Sequence, residues 1–121
     1  MVRTPGPGRL EERSMSSAAN PYLALSAYVM AGLDGVRRNL DPGEPNLGNL
    51  YSLSLEELRL RGIRILPQTL DESLAELKQD EVIQESLGVI YEEFIAVKEA
   101  ELREFRRQVT PWEIDRYLTL F

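Results

Sequence analysis

The sequence contains no cysteine and no histidine among its 121 residues. Without cysteine it has no disulfide framework, which excludes the pattern typical of small secreted domains. Histidine is the commonest general base and a frequent metal ligand, so a complete histidine-dependent active site cannot lie within this chain. No apolar run approaches the roughly 20 residues of a membrane-spanning helix. These absences favour a cytoplasmic protein without membrane contact.

Basic residues are also few, because 14 lysines and arginines stand against 20 acidic residues and give a formal net charge of −6. A general nucleic-acid-binding protein would present a basic face, so this class is not expected. Apolar residues make up 43% of the chain, enough for a hydrophobic core. The length fits one domain or a piece of a larger one.

Two short strands are predicted at the N-terminus, on either side of the turn Pro5-Gly6-Pro7-Gly8. Proline fixes φ and glycine permits positive φ, which suits a tight loop. Arg3 lies on the first strand, and residues 9–14 form the second. Two strands at one edge cannot make a sheet with its own core. We therefore expect them to belong to a larger sheet, and the chain to be a C-terminal fragment.

Alternation along the second strand puts Arg9, Glu11 and Arg13 on one face. Guanidinium groups bind phosphate or carboxylate oxygens, and a carboxylate is a good ligand for a hard cation. This face is therefore a candidate site for an anion and a metal ion. From the residues alone, the plain alternative is favoured: a solvated edge strand whose ion pairs contribute little to stability.

Residues 15–121 are predicted to be helical, which makes the fold class mainly α with one or two short strands. Asn20 before Pro21 and three capping-box patterns, at Ser54, Thr69 and Thr110, mark helix starts. The expected helices run from Pro21 to about residue 39, from 55 to about 61, from 70 to about 79, from 81 to 87, from about 89 to 108, and from 111 onward.

The first and the last of these helices carry many apolar residues. Tyr22, Leu25 and Val29 recur at helical spacing, which predicts that the first helix is well buried. The last helix carries Trp112 and ends at Phe121. Because chain termini are usually polar and frayed, we expect this apolar end to dock on something, in this chain or in another subunit.

Five motifs lie along the chain: Arg9-Leu10-Glu11-Glu12-Arg13, Ala18-Ala19-Asn20-Pro21-Tyr22-Leu23-Ala24, Ala31-Gly32-Leu33-Asp34-Gly35, Asn49-Leu50-Tyr51 and Val109-Thr110-Pro111-Trp112-Glu113. Together they resemble the C-terminal part of the glutamine synthetase catalytic domain, of the bacterial type or of its glutamate–amine ligase relatives. The resemblance covers essentially the whole chain. It implies that residues 1–121 are a fragment of this α+β domain, with 1–14 at the strand edge of the active site and 15–121 in its helical region.

The resemblance also implies a reaction, glutamine biosynthesis from glutamate, ammonia and ATP through γ-glutamyl phosphate. Two divalent metals, Mg²⁺ or Mn²⁺, assist phosphoryl transfer in the family. Carried over residue by residue, Glu11 is a metal ligand and Arg13 is a catalytic residue that binds glutamate and the transferred phosphate. Arg9 lies near the nucleotide, and Arg3 contacts the ATP phosphates.

The chain also departs from the family pattern. The loop between Arg3 and Arg9 is shorter than usual and lacks a lysine. Glu12 stands where an apolar residue is common, and residues 14–17 replace an aromatic-Pro-Asp segment. These departures suggest a divergent subgroup and leave the amine substrate open. Tyr51 aligns with a tyrosine that some bacterial members adenylylate, although a plain loop tyrosine is the favoured interpretation.

Three hypotheses therefore remain open. The first is a glutamate–ammonia ligase of nitrogen metabolism, of which this chain is the C-terminal piece and which is inactive as an isolated fragment. The second is a ligase of the same family that joins glutamate to an organic amine such as a polyamine. The third is an inactive, stand-alone helical interaction module. For the two ligases, the resemblance implies a homo-oligomer of stacked rings in which the C-terminal helix contacts a neighbouring subunit. Their substrates would be small molecules, and neither nucleic acid nor a membrane is expected as a partner.

Overall fold

The computed structural model of the chain describes residues 2–120. Within this range, strands β1 and β2 span Val2–Gly6 and Arg9–Glu12. The α-helices are α1 Pro21–Arg37, α2 Leu55–Leu60, α3 Leu70–Leu77, α4 Glu81–Leu87, α5 Tyr91–Phe105 and α6 Pro111–Tyr117, with 3₁₀ turns at Leu50–Ser52 and Gly88–Ile90. The mainly α fold class with two short strands is confirmed. No described helix combines the length and the apolar character that crossing a membrane requires.

β1 and β2 form an antiparallel hairpin with Gly6 paired to Arg9, so Pro7 and Gly8 make a two-residue loop. Gly8 has a φ of +69°, a backbone conformation that glycine adopts without steric cost. Proline followed by such a glycine is typical of a type II turn. The predicted order of strand, tight turn and strand is confirmed, but the turn is shorter than predicted and the second strand ends at Glu12 and not at residue 14.

The register of the hairpin shifts by one residue between the turn and the Arg3–Glu11 pair. As a result, Thr4 and Pro5 together lie opposite Leu10, which is a β-bulge. Proline has no backbone N–H to donate, and bulges are among the few places in a sheet that tolerate it. The bulge therefore accommodates Pro5 and sets which residues of β1 and β2 face each other at the open end of the hairpin.

The helices begin where side chains satisfy the free backbone N–H groups of their first turns. Both halves of the predicted capping boxes that start at Ser54 and Thr110 are present. The third box is incomplete. Thr69 accepts the N–H of Glu72, but the Glu72 carboxylate accepts the N–H of Gln68 at 2.7 Å and not that of the cap residue.

The described chain divides into two compact units, residues 2–40 with Asp80–Gly88, and residues 41–79 with 89–120. In the first unit α1 packs on α4. Asn20 caps α1 by accepting the N–H groups of its second and third residues. The Ser26 Oγ donates a hydrogen bond of 3.0 Å to the carbonyl oxygen of Ser86. Leu87 of α4 is the buried side chain of this unit among the described residues.

Helix α1 is less buried than its sequence predicts. No residue of α1 is fully buried, and Tyr22, Leu25 and Val29 are 83%, 63% and 51% exposed. The residues on the side of Ser26 are half-buried instead. The seven residues of α4 cover one face of α1 and leave the apolar stripe open. For the described residues, the prediction of a well-buried first helix is therefore wrong.

In the second unit α3 packs on α5, with Leu74 and Ile95 buried. Two ion pairs connect these helices. Asp71 near the start of α3 pairs with Arg106 just after α5, and Lys78 just after α3 pairs with Glu99 inside α5, Nζ to Oε1 at 2.5 Å. Because the start of α3 pairs with the end of α5, the two helices run antiparallel.

Helix α6 also presents an apolar surface. The rings of Trp112 and Tyr117 meet edge to face, with centroids 5.9 Å apart and planes at 89°. These side chains are nevertheless 64% and 50% exposed. Phe121, which is predicted to belong to the same apolar end, lies outside the described residues. The docking of this end on another surface stays a prediction.

Acid is expected to weaken the α3–α5 pairing. The hydrogen bond and charge of Lys78 hold the pKa of Glu99 below its ordinary value of 4.5. A carboxyl group with a lowered folded-state pKa adds stability above its unfolded pKa, and this stability is lost as pH falls through the folded-state pKa. Lys78→Met should therefore lower the urea midpoint of unfolding at pH 6, and this difference from wild type should shrink towards about pH 2.

Lys98→Met is the matched control, because Lys98 pairs with Glu101 inside α5 and connects no second helix. Its effect on the urea midpoint should be small across the same pH range, since an exposed pair within one helix contributes little. A Lys78→Met effect of equal size at pH 6 and pH 2 would show that the Lys78–Glu99 pair does not stabilise the unit.

Candidate functional site

The N-terminal hairpin places one carboxylate between two guanidinium groups. Arg3 lies directly opposite Glu11 in the strand pairing, with the Arg3 Nε 3.6 Å from Glu11 Oε2. Arg13 approaches the other oxygen, and its Nε and one terminal nitrogen each lie 2.5 Å from Glu11 Oε1. Both carboxylate oxygens are thus engaged by arginine. The three side chains remain about one third to one half exposed, so ligands have access to them.

Each contact at this site has a local cause. Glu11 lies on β2, and Arg13 follows it two residues later, one residue past the end of the strand, with its side chain against the Glu11 carboxylate. The antiparallel register, offset by the bulge, brings Arg3 across from Glu11. Arg9 is placed differently, since it pairs with Gly6 beside the turn and its side chain is exposed. Among the described residues, no ion pair joins Arg9 to Glu11.

Tyr51 lies in the 3₁₀ turn Leu50–Ser52, which belongs to the second unit. It is far from the hairpin along the sequence. Its backbone N–H donates to the Asn49 side chain at 3.1 Å, and its side chain is 91% exposed. The hydroxyl is therefore accessible to a modifying enzyme, and adenylylation at Tyr51 stays a prediction.

The charges of Arg3, Glu11 and Arg13 favour the binding of an anion. Arg3 and Arg13 carry two positive charges against the single negative charge of Glu11, and guanidinium groups match phosphate and carboxylate oxygens in geometry. Residues 2–120 contain no group of three or more acidic side chains that could hold a metal ion. Glu11 fits a hard cation chemically as one oxygen ligand, and a complete metal site would need ligands beyond the described residues.

A second cluster, which the sequence alone did not indicate as functional, forms around Glu12, the residue next to Glu11 at the end of β2. Glu12 accepts hydrogen bonds from the backbone N–H and the hydroxyl of Ser14, at 2.8 and 2.7 Å. The Tyr28 hydroxyl, from α1, lies 3.3 Å from the Ser14 Oγ. Hydrogen bonding by the Tyr28 hydroxyl and by Ser14 holds the pKa of Glu12 well below its ordinary range.

The only sequence signal for this cluster is that Glu12 and Ser14 depart from the usual family pattern. A short bond between residues two apart is a known local motif for serine, so the Glu12–Ser14 contact is compatible with local sequence. The Tyr28 contact spans 14 positions, and it depends on how α1 packs beside the hairpin.

A sequence model described as "Glutamine synthetase, catalytic domain" matches residues 1–117. The chain is 46% identical over 121 residues to "Glutamate--methylamine ligase" of Methyloversatilis universalis, covering 100% of this chain and 27% of that protein. It is 41% identical over 113 residues to "Glutamine synthetase" of Methanosarcina mazei, covering 93% of this chain and 25% of that protein.

A solved structure gives the same relationship. The structure described as "Apo GmaS without ligand" matches with a TM-score of 0.80 and 34% sequence identity, covering 98% of this chain and 27% of that chain. The chain therefore spans about a quarter of the length of the relatives it matches.

Removing the charge of Glu11 is expected to strengthen anion binding at the hairpin in the absence of metal. In Glu11→Gln, Arg3 and Arg13 lose their internal counter-charge, so the local charge rises by one. Pyrophosphate, titrated by calorimetry without divalent metal into the polypeptide that carries this chain, should bind about fivefold more tightly at low ionic strength.

Glu44→Gln serves as the control, because it removes the same charge from an exposed position between α1 and α2. Its pyrophosphate affinity should stay within about twofold of wild type. Equal or weaker binding by Glu11→Gln would show that the two arginines do not form an anion site.

Proposed function

The chain belongs to the glutamine synthetase family through its match to the catalytic domain over residues 1–117, and from this premise we propose that it is the C-terminal part of an ATP-dependent ligase. The ligase joins an amine to the γ-carboxylate of L-glutamate. The observation that carries the proposal is the Glu11 carboxylate held between Arg3 and Arg13. This arrangement supplies cationic groups for anionic substrates and one carboxylate for a divalent cation.

The arginines bind and orient the substrates in this proposal. Arg13 exchanges its contact with Glu11 for the glutamate substrate and the transferred phosphoryl group, because its planar fork matches either anion. Arg3 and Arg9 bind the nucleotide phosphates. The short loop between these two arginines places them on adjacent strands, which suits contacts with neighbouring phosphate oxygens.

Glu11 would hold the divalent cation, Mg²⁺ or Mn²⁺, with further ligands from outside the described residues. When bound, the cation supplies charge neutralisation at the phosphoryl group. The carboxylate of Glu11 also keeps the two guanidinium groups apart and aligned before substrate arrives.

The reaction has two displacements. An oxygen of the glutamate γ-carboxylate attacks the γ-phosphorus of ATP, and ADP leaves. The amine nitrogen then attacks the acyl carbon of γ-glutamyl phosphate, inorganic phosphate leaves, and the nitrogen gives up a proton. Stabilisation of the transferred phosphoryl charge by preorganised arginine is the contribution of the hairpin. The groups that take the proton lie outside this chain.

Ammonia is the first acceptor that we propose, and a small organic amine is the second. The second is supported by the 46% identity to a glutamate–methylamine ligase over the full chain. The family context also supports a cytoplasmic homo-oligomer that acts in nitrogen metabolism. The exposed apolar surface of α6 supports a subunit contact through the C-terminal helix. A stand-alone interaction module would use the same surface and show no turnover.

Glu11→Ala in the full-length polypeptide is expected to weaken the dependence on metal. Loss of one oxygen ligand should raise the Mg²⁺ concentration needed for half-maximal phosphate release by about 10- to 100-fold and lower kcat by at least as much. Glu44→Ala is the control and should leave both quantities unchanged. An unaltered metal titration curve would remove Glu11 from the site.

The acceptor is identified by measuring phosphate release with ATP and L-glutamate in the presence of ammonia, methylamine or putrescine. The ligase proposal expects release with at least one amine and formation of the matching γ-glutamyl amide. Turnover with ammonia alone would exclude the organic amine. Absence of amide with every amine, in a folded full-length protein, would contradict the ligase and favour the interaction module.

A further inference from the structure

We propose that Glu12, Ser14 and Tyr28 form a positioning cluster that fixes the backbone of Arg13 at the open end of the hairpin. The inference rests on the proposed function in one respect, because it takes Arg13 as the residue that binds the anionic substrate. The three residues are positioning residues, since they act on the substrate through Arg13.

Arg13 needs such support because the sheet does not provide it. Strand β2 ends at Glu12, whose partner in the pairing is Val2. Among the described residues, Arg13 therefore lies beyond the strand ladder. An arginine with a free backbone would lose conformational entropy each time it bound an anion. Constraint of its backbone before binding reduces this loss.

Glu12 and Ser14, on either side of Arg13, supply the constraint. Glu12 Oε2 accepts the backbone N–H of Ser14 at 2.8 Å, and Glu12 Oε1 accepts the Ser14 hydroxyl at 2.7 Å. These two bonds close a small ring that contains the backbone of Arg13. The side chain of Arg13 remains directed to Glu11, so the ring leaves the site itself unobstructed.

Tyr28 connects this ring to α1. The Tyr28 Oη lies 3.3 Å from the Ser14 Oγ, and either hydroxyl can be the donor in this contact. The Tyr28 hydroxyl also hydrogen-bonds to Glu12, and this bond lowers the pKa of the carboxyl group. The tyrosine side chain is half-buried, so its hydroxyl approaches from a fixed direction. The contacts of the Tyr28 hydroxyl with Ser14 and Glu12 anchor the end of β2 on the helix.

The test uses the full-length ligase with Tyr28→Phe and Ser14→Ala. Each variant removes one hydroxyl, and the KM for L-glutamate should rise about fivefold, the factor that one ordinary hydrogen bond supplies, while kcat changes less. Ser14→Thr keeps a hydroxyl and should restore most of the affinity. Tyr22→Phe is the matched control, since Tyr22 lies on the same helix and is 83% exposed, and its KM should equal that of wild type.

Action through Arg13 is tested by adding Tyr28→Phe to Arg13→Ala. If Tyr28 acts through Arg13, the double variant should have the KM of Arg13→Ala alone. Losses that multiply independently, or an unchanged KM in both Tyr28→Phe and Ser14→Ala, would overturn the inference.

Binding of pyrophosphate without metal separates this inference from the proposed function, since it requires no turnover. If the wild-type protein lacks ligase activity, the proposed function fails. The pyrophosphate affinity then tests by itself whether the cluster positions Arg13. Weaker binding in Tyr28→Phe but not in Tyr22→Phe, with the difference absent in the Arg13→Ala background, supports the cluster. Equal binding by Tyr28→Phe and wild type overturns it.

Discussion

Two guanidinium groups share one carboxylate at the open end of the hairpin, and the candidate site depends on this interaction. It requires Arg3 to lie opposite Glu11, which follows from a register that shifts by one residue at the bulge. Without the shift, the side chains of one strand would change faces relative to the other. Pro5 lies in the bulge that sets this register, so it helps to position Arg3 opposite Glu11 although it carries no reactive group.

Few of the large hydrophobic side chains are buried within the described residues. Leu74, Leu87 and Ile95 are the buried hydrophobic residues among positions 2–120, whereas the stripe on α1 and the apolar side of α6 are exposed. Large exposed apolar faces commonly mark interaction surfaces. They agree with the proposal of a larger enzyme, because the chain spans 27% of the glutamate–methylamine ligase that it resembles.

Local sequence predicted much of the fold. The start of α1 at Pro21 and the reciprocal capping boxes at Ser54 and Thr110 follow from hydrogen bonds within a few residues of each other. Two local predictions needed correction. The Glu72 carboxylate accepts the N–H of Gln68 and not that of the cap residue Thr69. Helix α5 begins at Tyr91, after a 3₁₀ turn, and not at about residue 89. Two adjacent N–H groups are similar in energy as partners of Glu72, and a 3₁₀ turn and an α-helical turn are similar in energy before Tyr91. The sequence pattern alone therefore does not determine which of the two forms.

The sequence by itself determined the elements, the alternation that places Glu11 and Arg13 on one side, and the family to which the chain belongs. Only the tertiary structure decided which distant residues meet. The contact of Tyr28 with Ser14, and the pairing of Lys78 with Glu99, join residues 14 and 21 positions apart. Such contacts arise from the packing of one element on another. Spacing along the chain fixes the faces of each helix or strand, whereas the choice of partner depends on the free energy of burying those faces together.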